Sequence, residues 1–166
     1  MARRAEKRLH HSWFFSERLT SRPEGMTRDA MDRLLDELAK GTALYKVKSA
    51  SKLLQRTFSL DRKNMILHYD GTQKRFRSAK TDLRISQVRE VREGEKDFSK
   101  KLNGLDKSLC FAVIVGANHK VIYLMAMRRE MRDKWVRGLR YAIQMDKLAE
   151  QRNETDKYPF HTSFSR

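Results

Sequence analysis

Leu109-Cys-Phe-Ala-Val-Ile-Val115, the turn Gly116-Ala-Asn118, Val121-Ile-Tyr-Leu-Met-Ala-Met127 and the run from Arg129 to Leu148 together decide the fold. The first and third pieces are nearly continuous in apolar character and are separated by a turn signal, so they read as adjacent central strands with little solvent on either face. The last piece is a helix, with Met131, Trp135, Leu139 and Ala142 on one face and Arg132, Arg137 and Arg140 mostly away from it. Trp135 is large enough to plug the open end of whatever the strands enclose.

Working outward, four more runs are strand-like: Leu44 to Lys48, Leu54 to Asp61, Met65 to Tyr69 and Leu83 to Val91. Turn signals separate them at Asp61 to Asn64, Asp70-Gly71, Gly94 and Asn103-Gly104. Ahead of them Thr27 is an N-cap, Asp29 and Asp32 suit a first turn, and Met31, Leu34, Leu35 and Leu38 recur at helical spacing until Gly41. Six or so antiparallel strands closed by one helix make a small barrel or an orthogonal sandwich. With 166 residues, 39% hydrophobic and 35% charged, the chain has material for one core plus polar extensions. The expected division is a basic, disordered tail over 1–26, a short amphipathic helix over 27–40, the domain over 41–148, and a disordered tail over 149–166.

Charge is distributed unevenly. Of a net +16, half lies in residues 46–80, which hold 10 basic and 2 acidic side chains. Such concentration calls for an anionic partner, a nucleic acid or an acidic membrane surface. Its centre is Lys46-Val-Lys48-Ser-Ala-Ser-Lys52-Leu-Leu-Gln-Arg56, which carries no acid. Alternation puts Lys46 and Lys48 on one face of a strand, and a turn through Ser49 to Leu53 returns Arg56 beside them. Three converging cations describe an anion site.

Several function classes are excluded. No nucleophile motif, phosphate-binding glycine loop or paired acids appear, so catalysis is not expected. The five histidines and one cysteine show no metal spacing, and neither metal nor cofactor is expected; Cys110, in an apolar strand, reads as core. No run approaches the roughly 20 apolar residues of a membrane span, and the amino terminus lacks the apolar stretch of a secretory signal. Glu6 and Glu17 argue against a transit peptide, and Trp13-Phe14-Phe15 is a possible partner or membrane contact in the tail.

The stretches Leu38 to Ser49, Arg56 to Asp61, Ile85 to Gly94, Cys110 to Ile114 and Trp135-Val-Arg-Gly-Leu-Arg-Tyr-Ala-Ile143, in that order and at domain-like spacing, resemble the amino-terminal pleckstrin-homology domain of delta-type phosphoinositide-specific phospholipase C. The resemblance covers about residues 30 to 147. It implies a mainly β fold, a partly open antiparallel barrel of about seven strands capped by a carboxy-terminal helix, here with a short amino-terminal amphipathic helix. It also implies a headgroup pocket at the mouth between the first two hairpins. Lys46, Lys48 and Arg56 match three of that family's ligands without a gap. The fourth carries over to Lys74 with one inserted residue near His68 to Tyr69, and Arg75 or Lys63 are the substitutes.

The implied partners are phosphatidylinositol 4,5-bisphosphate, inositol trisphosphate and an anionic membrane surface. Lysine ammonium groups meet ring phosphates as point donors, and Arg56 offers a planar fork. Lys52, Arg62, Lys63, Arg75 and Arg77 are the expected peripheral membrane contacts, at about 1 kcal/mol each near the surface. Leu53 and Leu54 stand at the loop tip, where one of them would begin the core strand. The expected location is the cytoplasm, peripherally at the inner face of the plasma membrane. A free-standing lipid reader, a fragment and a truncated phospholipase product are all compatible with the sequence. The rival reading is a basic protein-interaction or nucleic-acid-binding domain, but nucleic acid calls for interleaved exposed aromatics or a recognition helix, and neither is evident.

Overall fold

The computed structural model describes residues 26–70, 80–93 and 102–157. Of the tail expected over 1–26 all but residue 26, together with the turn residues Gly71 and Gly94 and the chain after 157, lie outside the described residues. Helix α1 is Arg28–Ala39, capped by Thr27, whose hydroxyl accepts from Ala30 N at 3.3 Å. It buries Met31, Leu34, Leu35 and Leu38, the apolar face read from its spacing. Gly41, at φ +88°, ends it in the left-handed conformation that a residue with a Cβ rarely adopts.

Seven strands follow: β1 Thr42–Ser49, β2 Lys52–Asp61, β3 Ile66–Asp70, β4 Lys80–Arg84, β5 Val88–Glu93, β6 Cys110–Val115 and β7 Lys120–Met125. They form one antiparallel sheet in the order β4-β3-β2-β1-β7-β6-β5. β4 and β5 are its two edges, so the sheet does not close. Residues 83–91 are therefore not one strand, as the sequence suggested. Ile85–Gln87 forms a 3-10 turn, and the chain passes there from one edge of the sheet to the other. Ile85 N donates to Met65 O at 2.8 Å and Gly116 N to Gln87 O at 2.8 Å, which ties this crossing to both halves of the sheet.

Alternation sorts each strand's side chains. Leu44, Phe58, Leu60, Leu67, Leu83, Phe111, Val113, Ile122 and Leu124 face inward and join one core with α1 and the final helix. The opposite face of β1, β6 and β7 carries a smaller cluster of Val47, Leu102 and Cys110, with Leu53, Leu105, Tyr123 and Met125 packed against it. Leu53 thus belongs to this outer cluster and not to a free tip.

Helix α2, Arg129–Lys157, supplies Trp135, Val136, Leu139, Ala142 and Ile143 to the core. Trp135 is 1% exposed and meets Phe58 edge-on at 6.3 Å. The helix runs nine residues past Leu148, where the sequence reading stopped. Glu150, Gln151 and Arg152 have good helix propensity and no breaker precedes Pro159, so loss of the apolar face did not end the helix. At the other end of α2, Arg132 Nη1 and Arg140 Nη1 take the two oxygens of Glu93, each at 2.9 Å, and Lys134 pairs with Glu37 of α1.

Candidate functional site

The candidate site is built from the inner face of the sheet beyond its apolar core. β1 and β2 pair with Lys46 opposite Leu54 and Leu44 opposite Arg56. Leu44, Lys46 and Lys48 therefore share a face, as do Leu54, Arg56, Phe58 and Leu60. Toward the β1–β2 turn the buried members of those two series give way to cations. Lys46 and Arg56 are half-buried and Lys48 is exposed, which is the gradient of a mouth. The sequence-predicted trio is thereby brought together.

Lys46 is held in place. Its Nζ donates to the Tyr69 hydroxyl at 3.3 Å and lies 4.6 Å from that ring's centroid, a cation–π geometry. Arg56 Nη1 donates to Gln55 O at 3.1 Å. Among the described residues no carboxylate forms an ion pair with Lys46, Lys48 or Arg56. Elsewhere Arg62, Arg92, Arg132, Lys134 and Arg140 all have such partners. A concave face with three uncompensated cations is an electrostatic sink for an anion.

The other predicted residues divide. Lys52 stands exposed at the start of β2, at the mouth. Arg62 and Lys63 do not. They follow the end of β2, a strand of 10 residues and so about 30 Å from Lys52, and Arg62 is engaged by Asp32 at 2.7 Å and Asp36 at 3.5 Å on α1. The length of β2 thus sets Arg62 and Lys63 apart from the mouth, a separation that nearness in sequence to Arg56 does not show. Lys74, Arg75 and Arg77 lie outside the described residues.

Three residues not read from the sequence lie at the same end. β1 pairs with β7, Lys46 opposite Leu124 and Val47 opposite Tyr123, so the β6–β7 turn falls beside the β1–β2 turn. Lys120 extends the inward series of Leu124 and Ile122 and is exposed. His119, at φ 50°, has its Nε2 3.1 Å from Arg89 Nη1. Only the pairing of β1 with a strand some 75 residues later brings them here, and no local pattern signals it. Among the described residues there is no group of three or more metal-ligating side chains, and no helix is long and apolar enough to cross a membrane.

The open seven-stranded sheet with its carboxy-terminal helix and cationic mouth is of the pleckstrin-homology type. No family model matches the chain. Its sequence is similar to that of inactive phospholipase C-like protein 2 of Mus musculus, 30% identical over 134 residues, 78% of this chain and 12% of that one. It is likewise similar to inactive phospholipase C-like protein 1 of Homo sapiens, 32% identical over 111 residues, 64% and 10% respectively. A third relative is the human 1-phosphatidylinositol 4,5-bisphosphate phosphodiesterase eta-2, 25% identical over 135 residues, 77% of this chain and 9% of that one. The chain thus spans about a tenth of the length of these relatives. Among solved structures, the fold is shared with Inner Membrane Complex Sub-compartment Protein 3 of Toxoplasma gondii (TM-score 0.55, 12% identity, 74% of this chain and 89% of that one). It is also shared with L. pealei PLC21 (TM-score 0.53, 19% identity, 68% and 16%). The domain is a pleckstrin-homology domain of the phospholipase C type.

Proposed function

We propose that this domain reads polyphosphoinositide headgroups, phosphatidylinositol 4,5-bisphosphate or its soluble counterpart inositol trisphosphate, and so holds its protein at the cytoplasmic face of the plasma membrane. One observation carries the reading: Lys46, Lys48 and Arg56 share the concave mouth with no carboxylate paired to them among the described residues. Adjacent ring phosphates concentrate several negative charges in a small volume and match that arrangement. The bisphosphate lipid in the name of the eta-2 relative supports the same ligand class. Lys52 and Lys120 add screened attraction to anionic lipid at the rim, and Lys74, Arg75 and Arg77, which lie outside the described residues, remain the fourth ligand and further contacts that the resemblance implies.

The domain hydrolyses nothing in this reading; two relatives carry "inactive" in their names. Release of inositol trisphosphate from bisphosphate vesicles with calcium would refute that part. For binding, Lys48→Glu combined with Arg56→Leu abolishes capture by bisphosphate vesicles and leaves the fold intact, because both side chains stand beyond the core. A double variant that folds and binds as well as wild type would show the site to be elsewhere.

A further inference from the structure

An apolar groove lies where the chain enters α1 and passes along α2. Met26 and Met31 form one wall, and Tyr141, Met145 and Leu148 form the other. Among the described residues four large apolar side chains are exposed: Val121, Met127, Met145 and Leu148. Two of the four stand on this groove, three positions apart on α2 and therefore on one helical face. Water-facing surfaces scatter such side chains singly, so a pair of them beside an apolar cleft marks a surface that something covers.

The groove is also where the described chain begins. Met26 packs against the core cluster, and Arg137 Nη1 donates to its Sδ at 3.7 Å. Residues 1–25 therefore join the domain at the wall of the groove itself. They contain Trp13-Phe14-Phe15, the only run of three aromatic residues in the sequence. The 11 steps from Phe15 to Met26 span up to about 36 Å when extended, whereas α2 from Tyr141 to Arg152 is only about 16 Å long. The triplet reaches any point of the groove.

Charge favours the same occupant. Arg28 and Arg152 border the groove, and neither forms an ion pair among the described residues. Glu17, two positions after Phe15, is the only acid between residues 7 and 23 and brings the matching charge. The aromatic residues that follow α2 are less well placed, because the helix continues to Lys157 and carries the chain about 8 Å past Arg152.

We propose that Trp13-Phe14-Phe15 of this chain's own amino-terminal segment docks in the groove between Met26, Met31 and the Met145–Leu148 face of α2, with Glu17 against its arginines. The folded unit then starts ahead of α1, and Met145 and Leu148 are covered within one chain. Modest contacts suffice for this, since a short tether holds the triplet at an effective concentration on the order of millimolar. The inference is independent of the phosphoinositide reading and stands or falls without it.

The test combines Phe14→Cys with Met145→Cys in one full-length variant and with Val121→Cys in another. Met145 is 36% exposed and Val121 39% exposed, so both introduced thiols are open to reaction, while Cys110 is buried. Under mild oxidation the pair at 14 and 145 closes an intramolecular disulfide, read as a fast-migrating monomer on a nonreducing gel, at least about tenfold faster than the pair at 14 and 121, the advantage of a docked segment over a merely tethered one. In a separate variant, Trp13→Ser, Phe14→Ser and Phe15→Ser together lower the melting temperature by about 4 °C. Equal closure rates in the two pairs, or an unchanged melting temperature in the triple variant, would each overturn the inference. Covalent dimers in preference to closed monomers in the 14 and 145 pair would assign the groove to a second copy of the chain and overturn it as well.

Discussion

Replacing Gly138 with alanine would put a methyl carbon 2.3 Å from Cδ1 of Leu38 and 3.6 Å from its Cγ, where nonpolar carbons rest at about 3.5–4.0 Å. At Gly138 the backbone of α2 passes close to Leu38 of α1, and Leu38 must move to admit the new group. Leu38 is only 2% exposed, so it has to displace neighbours in the core, at a cost of about 1–3 kcal/mol for overpacking. Against this stands a gain of about 1 kcal/mol from exchanging glycine for alanine inside a helix. The overpacking wins by about 1 kcal/mol, a fall in melting temperature of about 4 °C for a domain of this size. Calorimetry and urea melts followed by circular dichroism measure both quantities. Leu38→Ala alone costs about 2–5 kcal/mol through the cavity it leaves. Combined with Gly138→Ala it costs less than the sum, since the new methyl enters the vacated space. A melting temperature at or above wild type for Gly138→Ala, or strict additivity in the pair, would refute the close approach of the two helices.

Further outcomes follow from single contacts. Burial, and secondarily the Asp106 carboxylate, push the Cys110 thiol up from 9.0 to about 11, so iodoacetamide labelling at neutral pH tracks the unfolded fraction through a urea titration; fast labelling of the native protein would contradict this. The folded chain holds that proton to higher pH than the unfolded one, so this contribution to stability is complete below about 9.0 and is lost as pH rises toward about 11. Arg140 donates from Nε and Nη2 to Val91 O at 3.3 and 3.1 Å and from Nη1 to Glu93 at 2.9 Å, covering the edge strand β5. Arg140→Ala costs about 1 kcal/mol and speeds amide exchange across 88–93 more than across 110–115, which mass spectrometry of the two peptides resolves.

What was legible in the sequence follows how local each signal is. The apolar runs around Val113 and Leu124, the Trp135 face and the Gly41 stop are short-range patterns, and each reappears as β6, β7, α2 and the end of α1. The join at Ile85–Gln87 escaped because it contains neither glycine nor proline, and Leu83, Ile85, Val88 and Val91 all face the core across it. The end of α2 escaped because apolar periodicity stops at Leu148 while backbone propensity continues. That Lys46, Lys48 and Arg56 come together was legible because one hairpin holds them. The nearness of Lys120, His119 and Arg89 to them was not, since only the order of strands in the sheet brings them there, and the contact of Tyr69 with Lys46 was hidden because it crosses β2. The distance of Arg62 and Lys63 from Lys52 was not legible either, because a strand carries residues close in sequence to opposite ends of the domain.

In the proposed function the mouth reads a polyphosphorylated headgroup and not charge alone. Affinities of the wild-type protein for vesicles containing phosphatidylinositol 4,5-bisphosphate, for vesicles matched in charge with phosphatidylserine, and for a single-stranded oligonucleotide, all at physiological salt, test it directly. Binding to the bisphosphate vesicles that is much tighter than to the other two, and displaced by inositol trisphosphate, is the predicted result. Equal affinity for all three would contradict it and reduce the site to a basic surface.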